Sequence, residues 1–215
     1  MAEYLLALDV STTTIGIALF ENLGNQGKLK ILTQVSPKVK TKNKTEELFL
    51  KVSVFENEFL FHENFTLKDL NITKVIIEEP LLQSNNVYTI ATLLRFNGMI
   101  SKSVYDYLHV LPEFISSYDA RKYAFPELMS VRRFKKDGSP LTEKAISKNK
   151  PVLFGAYPFE ADKKQILWEK VAEYESHITW NYDKNKKLKK ESFDMSDAYV
   201  VGKGYMHKMD LWKIK

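Results

Sequence analysis

Tyr4-Leu5-Leu6-Ala7-Leu8-Asp9-Val10-Ser11-Thr12-Thr13-Thr14-Ile15-Gly16-Ile17-Ala18-Leu19-Phe20 is the stretch on which the reading of the fold turns. A short apolar run from Tyr4 to Leu8 ends in Asp9, four hydroxyl side chains follow, and a second apolar run fills Ile15 to Phe20. Apolar runs separated by polar turn residues predict strand, turn and strand, a β-hairpin. Gly24 and Gly27 mark the next turn, so Leu29 to Val35 is expected to be a third strand of the same meander.

Beyond the meander the pattern changes. Thr45 to Phe61 carries Leu48, Val52, Phe55 and Phe59 close to helical spacing and predicts an amphipathic helix. Lys74 to Ile77, bounded by Glu78-Glu79-Pro80, suits a strand buried on both faces. Asn86 to Leu108 reads as a long helix, with Ile90, Leu93, Leu94, Met99, Ile100 and Val104 as its buried stripe. His109 to Ile115 is a further strand, with Pro112 marking an edge or irregularity. A short helix is expected within Ser117 to Leu128, another over Lys163 to Ser176, and a last one from Ser192 onward. The order is three strands, helix, strand, helix, strand, an irregular segment, then helices. An antiparallel meander followed by alternating elements implies an α/β fold, a mixed five-stranded sheet with helices on both faces.

The chain of 215 residues suits one domain, 1–215, with a basic insertion at about 129–161 around the turn Asp137-Gly138-Ser139-Pro140. Hydrophobic residues at 44% and charged residues at 27% describe a globular rather than a disordered chain. No cysteine is present, which removes disulfides and thiolate zinc sites and fits a reducing cytoplasm. The N-terminal apolar run is interrupted at Asp9 and has no basic leader, so neither a signal peptide nor a membrane span is expected, and the protein is expected to be soluble. Net charge is +5, and its distribution matters more than its size. Arg121, Lys122, Arg132, Arg133, Lys135 and Lys136 lie in one basic stretch running to Lys150, and Lys184 to Lys190 form another. Solvated loops would carry such charge equally well. Beside an anionic substrate the first set becomes the candidate nucleic-acid contact.

Three acidic sites stand out: Asp9 after the first strand, Glu78 or Glu79 after the fourth, and Asp194 with Asp197 opening the last helix. Each has an ordinary explanation, as a turn residue, an exposed strand end, or an N-cap with its capping-box partner. In a mixed sheet, neighbouring strand ends and a helix start can converge at one edge. Carboxylates gathered there repel one another unless cations hold them, and Mg²⁺ takes such oxygens while keeping positions for water and phosphate. Two such ions about 4 Å apart activate the attacking water and stabilise the leaving oxygen of a phosphodiester. The four histidines show no ligand spacing.

The set of acids resembles that of the RuvC-type Holliday junction resolvases, within the RNase H-like nucleases. Asp9-Val10-Ser11 with Gly16 resembles their first motif, Val75-Ile76-Ile77-Glu78 their second, and Asp194-Met195-Ser196-Asp197-Ala198 their third. The likeness runs in the family's order from Asp9 to Val201, and Glu-Glu-Pro before the long helix looks more like phage-encoded members. The resemblance implies an RNase H-like fold and a crossover junction endodeoxyribonuclease that cleaves branched DNA hydrolytically. It implies two Mg²⁺ ions, with Mn²⁺ as the alternative. Asp9 would bridge both ions, Glu78 and Asp197 would bind one each, and Asp194 would complete the cluster or help position the water. It also implies a homodimer on a four-way junction, no small-molecule cofactor, and action in the cytoplasm, the host's for a phage protein. Three features depart from the family pattern: Val-Ser-Thr follows Asp9 where bacterial members have Pro-Gly, two glutamates stand side by side, and the chain is longer than a minimal resolvase. Tyr123, Phe125 or Phe134 would serve as a wedge into an opened junction, or as core.

Other functions compete with this one. Sugar-kinase-like and actin-like ATPases share the strand, acid and hydroxyl-rich turn, but they place a glycine where Ser11 stands and need two such domains. An RNase H-like nuclease for flap DNA, RNA–DNA hybrid or transposon ends would carry the same acids. A non-catalytic junction-binding module would be expected to lack one of them.

Overall fold

β1 (Glu3–Val10), β2 (Ile15–Asn22) and β3 (Gly27–Val35) form the antiparallel meander in the computed structural model, which describes residues 2–62, 66–80, 86–212 and 214. β4 (Asn71–Glu78) runs parallel to β1 on its other side, and the short β5 (Glu113–Ile115) runs parallel to β4. The sheet order is β3-β2-β1-β4-β5, so the fold is the expected mixed five-stranded α/β sheet. Parallel neighbours need a crossover, and two helices supply them: α1 (Lys44–Phe55) between β3 and β4, and α2 (Val87–Leu108) between β4 and β5. Asn43 and Asn86 start these helices, each side chain accepting from two backbone N–H groups of the first turn.

Side-chain alternation sorts the central strands onto two cores. In β1, Leu6, Leu8 and Val10 pack with α1 and α2, while Leu5 and Ala7 pack on the opposite side. That opposite side is covered by α3 (Ser117–Ala124), α5 (Lys163–Tyr174) and α6 (Lys190–Lys208). In β4, Val75 and Ile77 join the first core and Ile76 the second. Leu5 to Leu8 and Val75 to Ile77 are fully buried, which is why both strands read as continuous apolar runs. Each such branched side chain contributes about 2 kcal/mol on burial.

Helix α6 lies closest to the sheet, and glycines permit the approach. A Cβ on Gly16 would stand 2.0 Å from the backbone oxygen of Asp194, and one on Gly202 would meet the Phe20 ring at 2.3 Å. Gly16 is also the residue paired with Asp9 across the hairpin. The glycine that follows the first acid in the sequence therefore makes room for the helix carrying the last two.

Several expected boundaries shift. The first helix is α-helical only to Phe55 and continues as a π-turn over Glu56–Leu60. Along α2 the buried residues are Phe96, Asn97, Ile100, Ser103 and Val104, whereas Leu94 is exposed and Ile90, Leu93 and Met99 are half-buried. The expected stripe holds only in the C-terminal half, because the N-terminal half borders an open groove against α1. His109 is not in a strand. It ends α2 in the left-handed conformation, φ 57°, and only Glu113–Ile115 pair with β4. The last helix starts at Lys190 and is preceded by Lys189, so Asp194 sits in its second turn and is not a cap.

The basic segment is ordered. β6 (Met129–Val131) pairs antiparallel with β7 (Pro151–Leu153), and the single turn α4 (Glu143–Ile146) lies between them. The predicted turn forms: Asp137 accepts from the N–H and hydroxyl of Ser139, and Gly138 takes φ 78°. Leu153, Phe154 and Tyr157 anchor the segment onto the core beneath α5 and α6. Among the described residues no helix is long and apolar enough to cross a membrane.

Candidate metal centre

Strand parity delivers the first two acids to one place. Asp9 follows Leu5 and Ala7 in parity and so faces α6. Glu78 follows Ile76 onto the same side of the adjacent strand, in the register that pairs Ala7 with Ile76. Asp194 and Asp197, three residues apart, share the face of α6 turned to the sheet. Carboxylate oxygens of Asp9, Asp194 and Asp197 lie within 4.8 Å of one another. Glu78 stands at their edge, close enough to raise the pKa of Asp9 and to be raised by Asp197. Glu79 is exposed, with its backbone N–H donating to Ile115 O, so of the two glutamates it is Glu78 that meets the cluster.

Crowded, buried carboxylates resist ionising together. Burial pushes Asp9 well above the ordinary carboxylate range, and Glu78, Asp197 and Asp194 push it further while Lys164 opposes. Burial, then Asp197, pushes Glu78 up to about 7 against Arg121, Ser117 and Lys164. Burial also raises Asp194, with Lys164 and Lys190 acting the other way.

Among the described residues Lys164 and Arg121 form ion pairs with the cluster. Lys164 Nζ, in the first turn of α5, donates to Asp197 Oδ2 at 3.1 Å and lies 3.7 Å from Asp194 Oδ1. Arg121, on α3, comes within 3.8 Å of Asp197 Oδ1. Burial works against the charge on Lys164, but Asp197, Asp194 and Asp9 more than offset it and its pKa is raised. The Thr14 side chain also hydrogen-bonds to Asp194 and lowers its pKa, yet among the described residues Asp194 Oδ2 is buried with no partner within hydrogen-bond distance. An orphaned buried carboxylate oxygen is costly and is what a cation would satisfy. The donor set is all carboxylate, which suits a hard ion such as Mg²⁺, so the residues fit a metal.

The expected nucleic-acid contacts lie on α3 and on the β6–β7 segment. Arg121 is drawn to the carboxylates. Lys122 lies over the Tyr123 ring, 5.1 Å from its centroid, and Arg132 over the Phe159 ring at 4.6 Å. Arg132, Arg133, Lys135 and Lys136 are exposed on the β6–β7 segment. Of the possible wedges, Phe125 is fully buried in the core, and Tyr123 and Phe134 are half-buried. Sequence reasoning passed over Lys164 and Ser117, which touch the site. Their only signal is position at a helix start, since the contacts are made across the fold.

A scan of protein-family models finds no match, and no curated protein matches the sequence. Solved structures resemble it in fold. RuvC of Thermus thermophilus superposes with a TM-score of 0.51 at 13% identity, covering 98% of this chain and 98% of that one. The same protein in complex with a Holliday junction substrate gives 0.50 at 8% identity with the same coverage. The Fowlpox virus resolvase in complex with Holliday junction DNA gives 0.43 at 12% identity, covering 97% and 99%. The fold is that of RuvC, the RNase H-like architecture.

Proposed function

We propose that this protein is a metal-dependent, structure-specific endodeoxyribonuclease that cleaves branched DNA, with the four-way junction as substrate. The observation that carries the reading is the convergence of Asp9, Asp194 and Asp197, with Glu78 beside them, at one edge of a RuvC-fold sheet. These four acids would hold two Mg²⁺ ions, with Mn²⁺ as an alternative. Bound there, the metal supplies an activated water and stabilisation of the leaving oxygen in phosphodiester hydrolysis.

The chain's own residues do the rest. Asp9 and Glu78 are held by strands and Asp194 and Asp197 by a helix locked onto them, so the donors need little rearrangement to act. Lys164 and Arg121 lie where a phosphate approaching Asp197 would meet positive charge. Arg132, Arg133, Lys135 and Lys136, on a segment anchored beside the site, would add phosphate contacts that give affinity and position without sequence preference. A homodimer would present two such centres to two strands of one junction. The whole described chain then acts as one nuclease unit, the basic segment being its DNA-facing addition.

The test is a labelled four-way junction incubated with and without Mg²⁺, beside matched duplex, flap and RNA–DNA hybrid. Paired symmetric nicks that require Mg²⁺ and occur on the junction alone are expected. Asp9→Asn should bind the junction but cut it at least about a thousandfold more slowly, the equivalent of ~4 kcal/mol of lost transition-state stabilisation. Cutting of flap or hybrid instead would keep the metal chemistry and overturn the substrate. Tight junction binding with no cutting in Mg²⁺ or Mn²⁺ would overturn the enzyme.

A further inference from the structure

A groove of about 650 Å³ runs between α1 and the N-terminal half of α2 and opens at Ser11 and Thr12, two and three residues beyond Asp9. It lies on the face of the sheet opposite α6, away from the basic β6–β7 segment. Lys44, Lys51 and Arg95 line it against one carboxylate, Glu47. Lys51 pairs with Glu47 at 2.8 Å and donates to the carbonyl of Thr12 at 3.0 Å, tying α1 to the loop after Asp9. Lys44 also pairs with Glu47 but remains 84% exposed, and Arg95 is exposed with no ion pair among the described residues. Tyr88, in the first turn of α2, is 85% exposed, and Thr89 beside it is exposed too.

Exposed arginine, an exposed flat ring and hydroxyls in a cleft of excess positive charge are the elements with which proteins hold a single nucleic-acid strand. A second copy of this chain would bring like charge to the same groove, whereas a phosphodiester backbone brings the opposite charge. We propose that this groove holds a single DNA strand on the far side of the carboxylate centre from the basic segment, with Arg95 and Lys44 on phosphates and Tyr88 stacked on a base. The proposal rests on the nuclease reading and names the surface that completes it. The loop that follows Asp9 then lies between two DNA-holding surfaces, one on each face of the sheet.

Arg95→Gln and Tyr88→Ala test it, measured by fluorescence anisotropy on a four-way junction in EDTA across a salt series. Both side chains are exposed, so thermal unfolding should be unchanged and lost affinity cannot be blamed on misfolding. Arg95→Gln is expected to weaken binding several-fold and to reduce the slope of log K against log salt by about 0.9. Tyr88→Ala is expected to weaken binding roughly fivefold or more while leaving that slope unchanged. Wild-type affinity and slope in both variants, with the wild type still cutting junctions, would overturn the groove and leave the nuclease standing. Loss of affinity in the variants of a protein that cuts no substrate would support the groove and overturn the nuclease. A change of oligomeric state with DNA affinity per site unaltered would make this face a protein interface and overturn the proposal.

Discussion

The two faces of the sheet are packed by different means. On one, α6 presses onto β1 and β2 through Gly16 and Gly202, and buries Ser192, Asp194, Ser196, Asp197 and Lys203 in doing so. On the other, α1 and α2 meet the sheet through large side chains such as Phe55, Phe96 and Ile100, and stand far enough apart at their exposed ends to leave a groove. The first arrangement holds carboxylates to within a few ångströms at the cost of burying charge. The second is an ordinary apolar core with an open rim. Close backbone approach is what allows short acidic side chains from three elements to meet.

Adding a methyl group to each face sharpens the contrast most. Gly16→Ala places a carbon against the Asp194 backbone, and α6 must move. A loss of about 3 kcal/mol of stability is expected, together with loss of Mg²⁺-dependent cleavage. Gly98→Ala, on α2, meets nothing within 4 Å and should stabilise by about 0.5–1 kcal/mol through helix propensity alone. Thermal or urea unfolding of the pair decides the matter: equal effects would show that α6 is not packed as described.

A pH series on metal-free protein gives a smaller effect. Asp9, Glu78 and Asp194 have raised pKa values in the folded state, so the native protein binds more protons than the unfolded chain. Their contribution to stability is therefore present at low pH and lost as pH rises, for Glu78 between about 4.5 and 7. Without metal, the melting temperature should fall across that window, saturating Mg²⁺ should restore it at pH 7, and Glu78→Gln should flatten the dependence. A wild-type profile that Glu78→Gln leaves unchanged would remove Glu78 from the cluster.

The smallest change is expected at Lys164, the cation shared by Asp194 and Asp197. Lys164→Met removes a positive charge that competes with a metal for the same oxygens. Calorimetric titration should show severalfold tighter Mg²⁺ binding in the variant despite a lower metal-free melting temperature. Weaker Mg²⁺ binding would mean that Lys164 organises the ligands rather than competing for them.

Much of this molecule was legible before its structure. The apolar runs ending at Asp9 and Glu78 defined two central strands because strands buried on both faces leave no polar positions until they end. The order of elements indicated the mixed sheet, and the set of three acidic sites in that order indicated where carboxylates converge. What pattern could not reach were interactions between distant segments. The N-terminal half of α2 looked like a buried stripe because apolar spacing does not reveal that it borders an open groove against α1. A cap remained an ordinary alternative for Asp194 because D-x-x-D is a capping pattern, and it falls away because the helix begins at Lys190.

The sequence by itself determined the central strands, the acids, the glycine after the first acid and the class of fold, because apolar runs and helical patterns are local properties of the chain. Only the tertiary structure decided that Glu78 rather than Glu79 joins the cluster, that Arg121 and Lys164 turn inward to it, and that basic residues are divided between two faces of the sheet. Those outcomes depend on strand register and on the depth to which α6 can approach, which are set by packing between residues far apart in the chain.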